Sequence, residues 1–338
     1  MASVQYYSNT SVLAVAAEEA PIVVTSDEID ARLQSTYDRL GLRPGMLEGL
    51  AGISERRWWP LDVSFADAAA RAGAKALAAA DVMPDQVGLL VSTSVCRDRL
   101  EPSAAVDIHH QLGLGPACLN FDISNACLGF INGMQLAALM IDAGQIDYAL
   151  IVDGEGSRHT QEATIARLQG ADTTREDVLA NFATLTLGSG AAAMVLGPAN
   201  RHPHGHRFVG GVSRAATEHH RLCLGDLDGM QTDSRQLLEA GVDLAGQTWR
   251  ASKQWFDWSA LECYVIHQVS RIHTDAIVAE LGIDADRVPI TFPTWGNIGP
   301  ASIPFTLAKV AGDLSSGDRV ACMGIGSGLN AAVIELSW

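Results

Sequence analysis

One unit of sequence occurs twice in this chain, and the internal repeat constrains the fold more than any other feature. In the first copy Asn125 precedes a helical segment and then an apolar segment, and Gly154 closes the unit. In the second copy Asn297 and Gly326 are separated by the same number of residues, with the same order of segments between them. A repeated α/β unit predicts two similar halves packed face to face, with a ligand cleft between equivalent strand ends.

The segments around the repeat alternate between apolar, β-branched stretches and Ala/Leu-rich stretches, a pattern typical of strands alternating with helices. Pro102 is expected in the first turn of a helix. A charged stretch at about 155–178 is interpreted as an exposed helical insertion. The other predicted elements are helices at 65–82, 127–143 and 241–258 and strands at 87–94, 118–123, 148–152 and 263–267.

These patterns predict the α/β fold class. We expect an N-terminal half at 1–200, which contains the insertion, and a C-terminal half at 201–338, with the connection near 201–211. Two long apolar runs, at 123–141 and 178–200, are interrupted by polar side chains and glycines. They are therefore interpreted as buried core and not as membrane spans.

Composition excludes several classes of protein. Hydrophobic residues make up 48% of the 338 residues and charged residues 18%, which excludes a disordered chain. The formal net charge is −16, and no run of Lys or Arg interrupts this acidic character, so a nucleic-acid partner is not expected.

The six cysteines lack a Cys-x-x-Cys pair and regular spacing, so neither a zinc site nor a disulfide framework is indicated. Free thiols are typical of the reducing cytoplasm, and the N-terminus lacks the pattern of a signal peptide. A cytoplasmic location is expected. His202, His204 and His206 are close enough in sequence to bind a metal but are interpreted as part of a solvated linker. No metal site is expected.

Cys127 is a candidate nucleophile because a predicted strand turns into a helix there. A thiol at a helix N-terminus is close to unpaired N–H groups and to the positive end of the helix dipole. Both lower its pKa and favour the nucleophilic thiolate. The alternative is a buried structural cysteine.

Three further residues are candidates for the same cleft. His267 directly follows the apolar residues 263–266, so it should emerge at the end of a strand, although a structural histidine is an alternative. Asn297 precedes a predicted helix and is either a ligand-facing residue or a turn or cap residue. Ser327 lies in Gly-Ile-Gly-Ser-Gly at 324–328, which too few residues follow for a dinucleotide site. This turn can instead present the backbone N–H of Ser327 to an oxyanion.

Four motifs carry a family resemblance over nearly the whole chain. They are Asn-Ala-Cys-Leu-Gly-Phe at 125–130, Val-Ile-His-Gln at 265–268, Gly-Asn-Ile-Gly-Pro-Ala-Ser at 296–302 and the turn at 324–328. The chain resembles the thiolase-fold condensing enzymes of the ketoacyl-synthase III type. This resemblance implies two pseudo-repeated α/β halves packed in five layers, α/β/α/β/α. Within that group the chain is most similar to the thiolases of long-chain olefin biosynthesis, in stretches at 25–29, 35–40, 98–103 and 299–304.

The resemblance implies a role for each candidate. Cys127 would take an acyl group from acyl-CoA as a covalent thioester, and the backbone N–H groups of Cys127 and Ser327 would bind the oxyanion. His267 and Asn297 would donate to the enolate oxygen of the second substrate. CoA thioesters would be the substrates, and no bound cofactor is implied.

The CoA contacts are less well defined by the resemblance. Arg271 and Arg214 are candidates for contacts with CoA phosphates or pantetheine. Ile272 stands where ketoacyl synthase III has an arginine, which is a departure from the family pattern.

Glu101 distinguishes between the related activities. Ketoacyl synthases of this type generate a carbanion by loss of carbon dioxide, and this position, which reaches across a homodimer, is typically a phenylalanine. A carboxylate among apolar walls can have its pKa raised until it serves as a base for an α-proton. The resemblance therefore implies a homodimer that condenses two long-chain acyl-CoA molecules without decarboxylation to a 2-alkyl-3-keto acid or its thioester. Downstream enzymes of hydrocarbon biosynthesis are possible partners.

Three alternatives remain open from the sequence. Glu101 can be an ordinary glutamate beside a helix N-terminus. The chain can be a decarboxylative ketoacyl synthase III that starts fatty-acid or polyketide chains. It can also be a non-catalytic partner subunit that lends Glu101 to another chain.

Overall fold

The computed structural model describes residues 2–226 and 228–338. The strands are β1 (Ser3–Tyr6), β2 (Thr10–Glu19), β3 (Ile22–Thr25), β4 (Glu55–Trp58), β5 (Val87–Ser92), β6 (Leu119–Asp122), β7 (Tyr148–Glu155), β8 (Gly190–Pro198), β9 (His206–Ala215), β10 (Cys223–Gly225), β11 (Met230–Thr232), β12 (Cys263–Ile266), β13 (Arg319–Gly326) and β14 (Asn330–Ser337). The α-helices are α1 (Ser26–Leu40), α2 (Met46–Ala51), α3 (Phe65–Ala80), α4 (Ala104–Gln111), α5 (Gly129–Asp142), α6 (Arg158–Leu168), α7 (Arg175–Ala180), α8 (Phe182–Leu185), α9 (Ser234–Ser252), α10 (Arg271–Leu281), α11 (Phe292–Trp295) and α12 (Ser302–Val310).

The main mixed sheet shows the internal repeat directly. Its strand order is β12-β13-β14-β9-β2-β8-β7-β5-β6, and β1 pairs with β9. The series β5-β7-β8-β2 and β12-β13-β14-β9 have the same directions, parallel at the first step and antiparallel at the next two. Among the described residues, the two series meet only where β2 pairs with β9, at Ser11 with Arg207 and at Val12 with His206. Two pseudo-repeated halves, as the sequence predicted, therefore form this sheet.

Helices cover and separate the two halves of the sheet. α5 and α12 lie between them, in an apolar cluster with side chains from β5, β7, β12 and β13. α3 and α4 cover the outer face of the first half, and α9 and α10 cover the outer face of the second. The result is the five-layer α/β/α/β/α arrangement that the resemblance implied.

α3 is positioned on the sheet by its sequence. Ser64 caps its first turn by accepting from the N–H of Asp67, and the helix ends at Asp81, which adopts a left-handed φ of 52°. The buried face consists almost wholly of alanines, and these small side chains let the helix approach the sheet closely.

Several predicted boundaries differ from the structure. Pro102 is not in the first turn of a helix, because α4 begins at Ala104. The carboxylate of Asp122 accepts from the N–H groups of Ala104 and Ala105, so the helix starts where its free amides find an acceptor. α9 begins earlier than predicted, at Ser234, because Asp233 caps it by accepting from the N–H of Gln236.

The charged stretch at about 155–178 is helical, but it is not simply exposed. Glu155 is the last residue of β7 and only 5% exposed. α6 buries Gln161, Ile165 and Leu168. The prediction of an exposed insertion was therefore wrong for its first residue and for one face of α6. The two long apolar runs are buried core, in α5 and β8, and no helix in the described ranges could span a bilayer.

Candidate active site

A cavity of about 940 Å³ opens where the carboxyl ends of β7, β12 and β13 meet the turn before α5. Cys127, His267, Asn297 and Ser327 all line it. The structure thus brings four of the predicted site residues together. Equivalent strand ends of the two halves supply them, as the repeat predicted.

Cys127 lies in a tight turn directly before α5. One turn of 3₁₀ helix, Ala126–Leu128, precedes the α-helix, and Ala126 has a left-handed φ of 44° although it is not a glycine. Gly129 packs so closely against the residue after β5 that a Cβ on it would lie 2.9 Å from the carbonyl oxygen of Thr93. The turn holds Cys127 at the cavity wall with a backbone conformation that is costly for an alanine.

The predicted lowering of the Cys127 pKa is wrong. Burial is the largest cause that raises the pKa of Cys127 to about 12, and the charges of Glu155, Cys223 and Asp153 contribute to the same rise. In a buried site these effects outweigh the dipole of the helix. The protein therefore holds Cys127 as a thiol at neutral pH.

His267 follows β12 directly, and its backbone N–H donates to the carbonyl oxygen of Met323 at 2.8 Å. Burial is the larger cause that lowers the pKa of His267 to about 4, and the nearby His273 contributes to the same lowering. Its Nδ1 is buried and has no hydrogen-bond partner in the described part of the chain. The imidazole is therefore neutral, so it can donate one proton and accept another.

Asn297 is held by its own backbone and side chain. Its N–H donates to Thr186, and its carbonyl oxygen accepts from Gly188 at 2.8 Å. Its Oδ1 accepts from the N–H of Gly299 at 3.0 Å, so the amide NH₂ is the group left for a ligand. The predicted helix begins soon after it, as α12, preceded by one 3₁₀ turn at Gly299–Ala301.

Ser327 follows β13, and the preceding Gly326 packs on the turn that carries Cys127. A Cβ on Gly326 would lie 2.8 Å from the carbonyl oxygen of Asn125. The backbone of the second half therefore approaches the Cys127 turn at van der Waals distance. This contact explains why a glycine is needed there.

The structure does not bring three predicted residues into the cavity. Glu101 is exposed, in the loop between β5 and α4, whereas its neighbour Leu100 lines the cavity. Arg271 is the exposed first residue of α10, and Arg214 lies in β9 and donates to Gln247 at 2.9 Å. The geometry gives no support for either arginine as a CoA contact.

Two buried carboxyl groups at the end of β7 were missed by the sequence analysis. Asp153 accepts from the hydroxyl of Thr93 at 2.5 Å, and Glu155 accepts from the N–H of Val95 at 2.6 Å and of Cys96 at 3.3 Å. Burial is the main cause that raises the pKa of both carboxyl groups. The signal was present, because acidic residues at alternate positions follow an apolar strand at its carboxyl end.

The remainder of the cavity wall is largely apolar. α9 and α10 contribute aliphatic side chains, and the turn after β13 closes the wall. These side chains belong to Leu237, Leu238, Val242, Ile277 and Leu329. Such a wall suits a long hydrocarbon chain.

The family comparisons agree with this geometry. The model described as 3-Oxoacyl-[acyl-carrier-protein (ACP)] synthase III matches residues 121–214, and the model of its C terminal part matches residues 252–338. The chain is 48% identical to the acyl-CoA:acyl-CoA alkyltransferase of Xanthomonas campestris, over 98% of this chain and 99% of that protein. It is 35% identical to the protein of the same description from Shewanella oneidensis, with the same coverage.

Solved structures give the same result. A crystal structure of Xanthomonas campestris OleA superposes with a TM-score of 0.97 at 48% sequence identity, covering 99% of this chain and all of that one. This chain belongs to the OleA family of thiolase-fold condensing enzymes. As a member of that family it is an acyltransferase. A second OleA structure, with bound lauric acid and lauroyl-CoA, superposes with a TM-score of 0.96.

Proposed function

We propose that this OleA-family enzyme joins two long-chain acyl-CoA molecules by a non-decarboxylative Claisen condensation. The observation that carries the proposal is the meeting of Cys127, His267 and Asn297 in the wall of one largely apolar cavity. The lauric acid and lauroyl-CoA bound by Xanthomonas campestris OleA support a long-chain acyl-CoA as substrate.

In the first stage the sulfur of Cys127 attacks the thioester carbonyl carbon. The bond from that carbon to the CoA sulfur breaks, and the Cys127 proton passes to the CoA sulfur through the neutral imidazole of His267. The backbone N–H groups of Cys127 and Ser327 bind the oxyanion while it exists. Because the pKa of Cys127 is raised to about 12, proton removal has to accompany the attack.

In the second stage a second acyl-CoA enters, and a carboxylate removes its α-proton; this proton returns to the Cys127 sulfur when the acyl group leaves it. His267 and the NH₂ of Asn297 donate to the enolate oxygen, each donor being worth on the order of 3 kcal/mol. The α-carbon attacks the acyl group, the bond to the Cys127 sulfur breaks, and a 2-alkyl-3-ketoacyl-CoA forms. Hydrolysis would release the free keto acid, or downstream enzymes of hydrocarbon biosynthesis would consume the thioester.

Glu101 of a second copy is the proposed base. β6 is the open edge of the sheet, and apolar side chains are exposed on it and beside it, on the loop that carries Glu101 and on α4. We call this set the edge patch: Leu100, Val106, Leu119 and Phe121. A second copy seated on the edge patch would bury it and bring Glu101 to the neighbouring cavity.

The solved OleA variants support this choice of residues. Crystal structures of Xanthomonas campestris OleA include variants with a substituted glutamate and with a substituted cysteine. The same number of residues separates those two positions as separates Glu101 from Cys127 here. The free cysteines support a cytoplasmic location for the dimer.

Mixed dimers test the proposal. Cys127→Ala and Glu101→Gln should each abolish condensation, and dimers that contain one subunit of each should regain part of it, since one of their two sites is intact. Product mass is measured with one acyl-CoA and no malonyl thioester. A requirement for malonyl thioester would instead indicate a decarboxylative ketoacyl synthase III. Failure of the wild-type chain to form an acyl adduct would indicate a non-catalytic subunit.

A further inference from the structure

The proposed chemistry leaves the buried carboxyl group of Glu155 without a role. Glu155 lines the cavity together with Cys127, yet both of its oxygens are engaged with the protein. Its Oε1 accepts from the N–H of Val95 at 2.6 Å, and its Oε2 accepts from the N–H of Cys96 at 3.3 Å. One carboxyl group thus holds two consecutive backbone amides.

Val95 and Cys96 lie near the start of the loop at 93–103 that carries Glu101. The preceding Thr93 is also held, because its hydroxyl donates to Asp153 at 2.5 Å. At the far end of the loop, Asp122 accepts from the first amides of α4. The loop is therefore anchored at both ends by carboxyl groups, of which Glu155 is buried and Asp122 half-buried, while Leu100 and Glu101 between them are exposed.

Glu155 also contacts the turn that holds Asn297. A Cβ on Gly299 would lie 3.4 Å from the carboxyl carbon of Glu155, so the glycine lets this turn pack directly against the carboxyl group. The backbone of Glu155 is fixed as well, since its carbonyl oxygen accepts from the indole of Trp59 at 2.9 Å. One side chain therefore lies between the loop of Glu101, two of whose amides it binds, and the turn of Asn297, against which it packs.

We propose that Glu155 is a positioning residue for the condensation step, and that it acts by fixing the 93–103 loop that presents Glu101. This inference rests on the proposed role of Glu101. A carboxylate suits the task because each of its oxygens accepts from one amide. A glutamine has only one acceptor oxygen, and its NH₂ would face the second N–H.

The test compares three variants. Glu155→Gln nearly preserves the shape of the side chain and removes one of the two oxygens that accept from the loop amides. Glu101→Gln removes the proposed base. Glu335→Gln is the matched control. Glu335 is also 5% exposed and accepts two hydrogen bonds, from Trp258 and Arg319, but it lies in β14 outside the cavity wall.

Three quantities are measured for each variant: the rate of acyl adduct formation on Cys127 by intact mass, the rate of condensation, and deuterium exchange of the 93–103 peptide. For Glu155→Gln we expect adduct formation within about threefold of wild type, condensation reduced at least about tenfold, and faster exchange of the peptide. Glu335→Gln should leave all three unchanged.

The outcomes separate the two proposals. Equal losses in adduct formation and condensation, or unchanged exchange of the 93–103 peptide, would overturn the positioning role of Glu155. Normal condensation by Glu101→Gln would overturn the proposed base, whereas the exchange measurement would still decide whether Glu155 holds the loop. If Glu155→Gln does not fold, Glu155→Asp replaces it, because it keeps both oxygens but shortens their reach.

Discussion

Gly326 packs against the carbonyl oxygen of Asn125, so that a Cβ on the glycine would lie 2.8 Å from that oxygen. The contact joins the end of β13 to the turn that carries Cys127. We expect Gly326→Ala to displace this turn, to destabilise the fold by about 1–3 kcal/mol and to slow adduct formation on Cys127 at least about tenfold. Denaturant unfolding and intact mass with an acyl-CoA measure the two effects.

The control for this variant is Gly312→Ala. A Cβ on Gly312 would meet nothing within 4 Å, and its φ is not left-handed. If Gly326→Ala behaved like Gly312→Ala, the contact between the two halves would not position Cys127.

The reactivity of Cys127 should depend steeply on pH. Since the pKa of Cys127 is raised to about 12, the thiolate fraction rises about tenfold per pH unit between pH 7 and pH 10. Alkylation of Cys127 by iodoacetamide, followed by peptide mass, should rise by the same factor without a plateau. Cys96 and Cys223 also line the cavity, so Cys127→Ala supplies the background. A plateau below pH 8 would mean that the thiolate is stabilised after all.

His267 should make the fold sensitive to acid. Its pKa is lowered to about 4 in the folded chain, so between pH 6.5 and 4 the unfolded chain binds a proton that the folded chain does not. The stability is complete above pH 6.5 and falls as the pH decreases. The loss is roughly 2 kcal/mol, reduced from the full shift because the ring is partly open to the cavity.

Denaturant unfolding at several pH values measures this loss. His267→Gln should lack this part of the acid sensitivity, whereas His204→Gln, at an exposed site in the connection between the halves, should keep it. Parallel stability curves for wild type and His267→Gln would contradict the prediction.

Acyl chain length should respond to Gly241. This glycine of α9 lines the cavity, and a Cβ there would meet nothing within 4 Å. Gly241→Leu should fold and fill part of the apolar space, lowering kcat/KM about tenfold for the longest acyl-CoA but little for short ones. Gly49→Leu, in α2 away from the cavity wall, is the matched control. An equal effect on all chain lengths would indicate that the acyl chain lies elsewhere.

The edge patch should govern assembly. Phe121→Glu places a charge on β6, so we expect dissociation to monomers and loss of condensation together, because Glu101 then has no neighbouring cavity to reach. Light scattering and product mass measure the two changes. Met83→Glu, at an exposed apolar residue outside the edge patch, should alter neither. An active monomer would exclude the intersubunit role of Glu101.

The sequence was sufficient to place Cys127, His267, Asn297 and Ser327 in one cleft. Each follows a strand or precedes a helix in one of the two repeats, and equivalent strand ends of a repeated α/β unit meet. Local patterns of this kind show which residues stand at the ends of strands and helices. The five-layer arrangement came from the family resemblance, because periodicity alone does not fix how sheets stack.

The environment of Cys127 was not predictable in the same way. The helix dipole is a local effect and can be inferred from sequence, but Glu155 and Asp153 reach the cavity from β7, and only the tertiary packing shows that they are buried. Glu155 opens a charged stretch, so it was interpreted as exposed. The start of α4 was misplaced for a similar reason, since its cap comes from Asp122 in β6.

The two ends of the main sheet are unlike each other, and this limits how copies can associate. β12, at one end, is buried along its whole length, whereas β6, at the other, ends the sheet with exposed apolar side chains. A molecule with exposed apolar side chains at both ends of its sheet could polymerise into filaments. A molecule with such side chains at one end only can pair with one other copy through them, and the pair then has no exposed apolar end left to extend it.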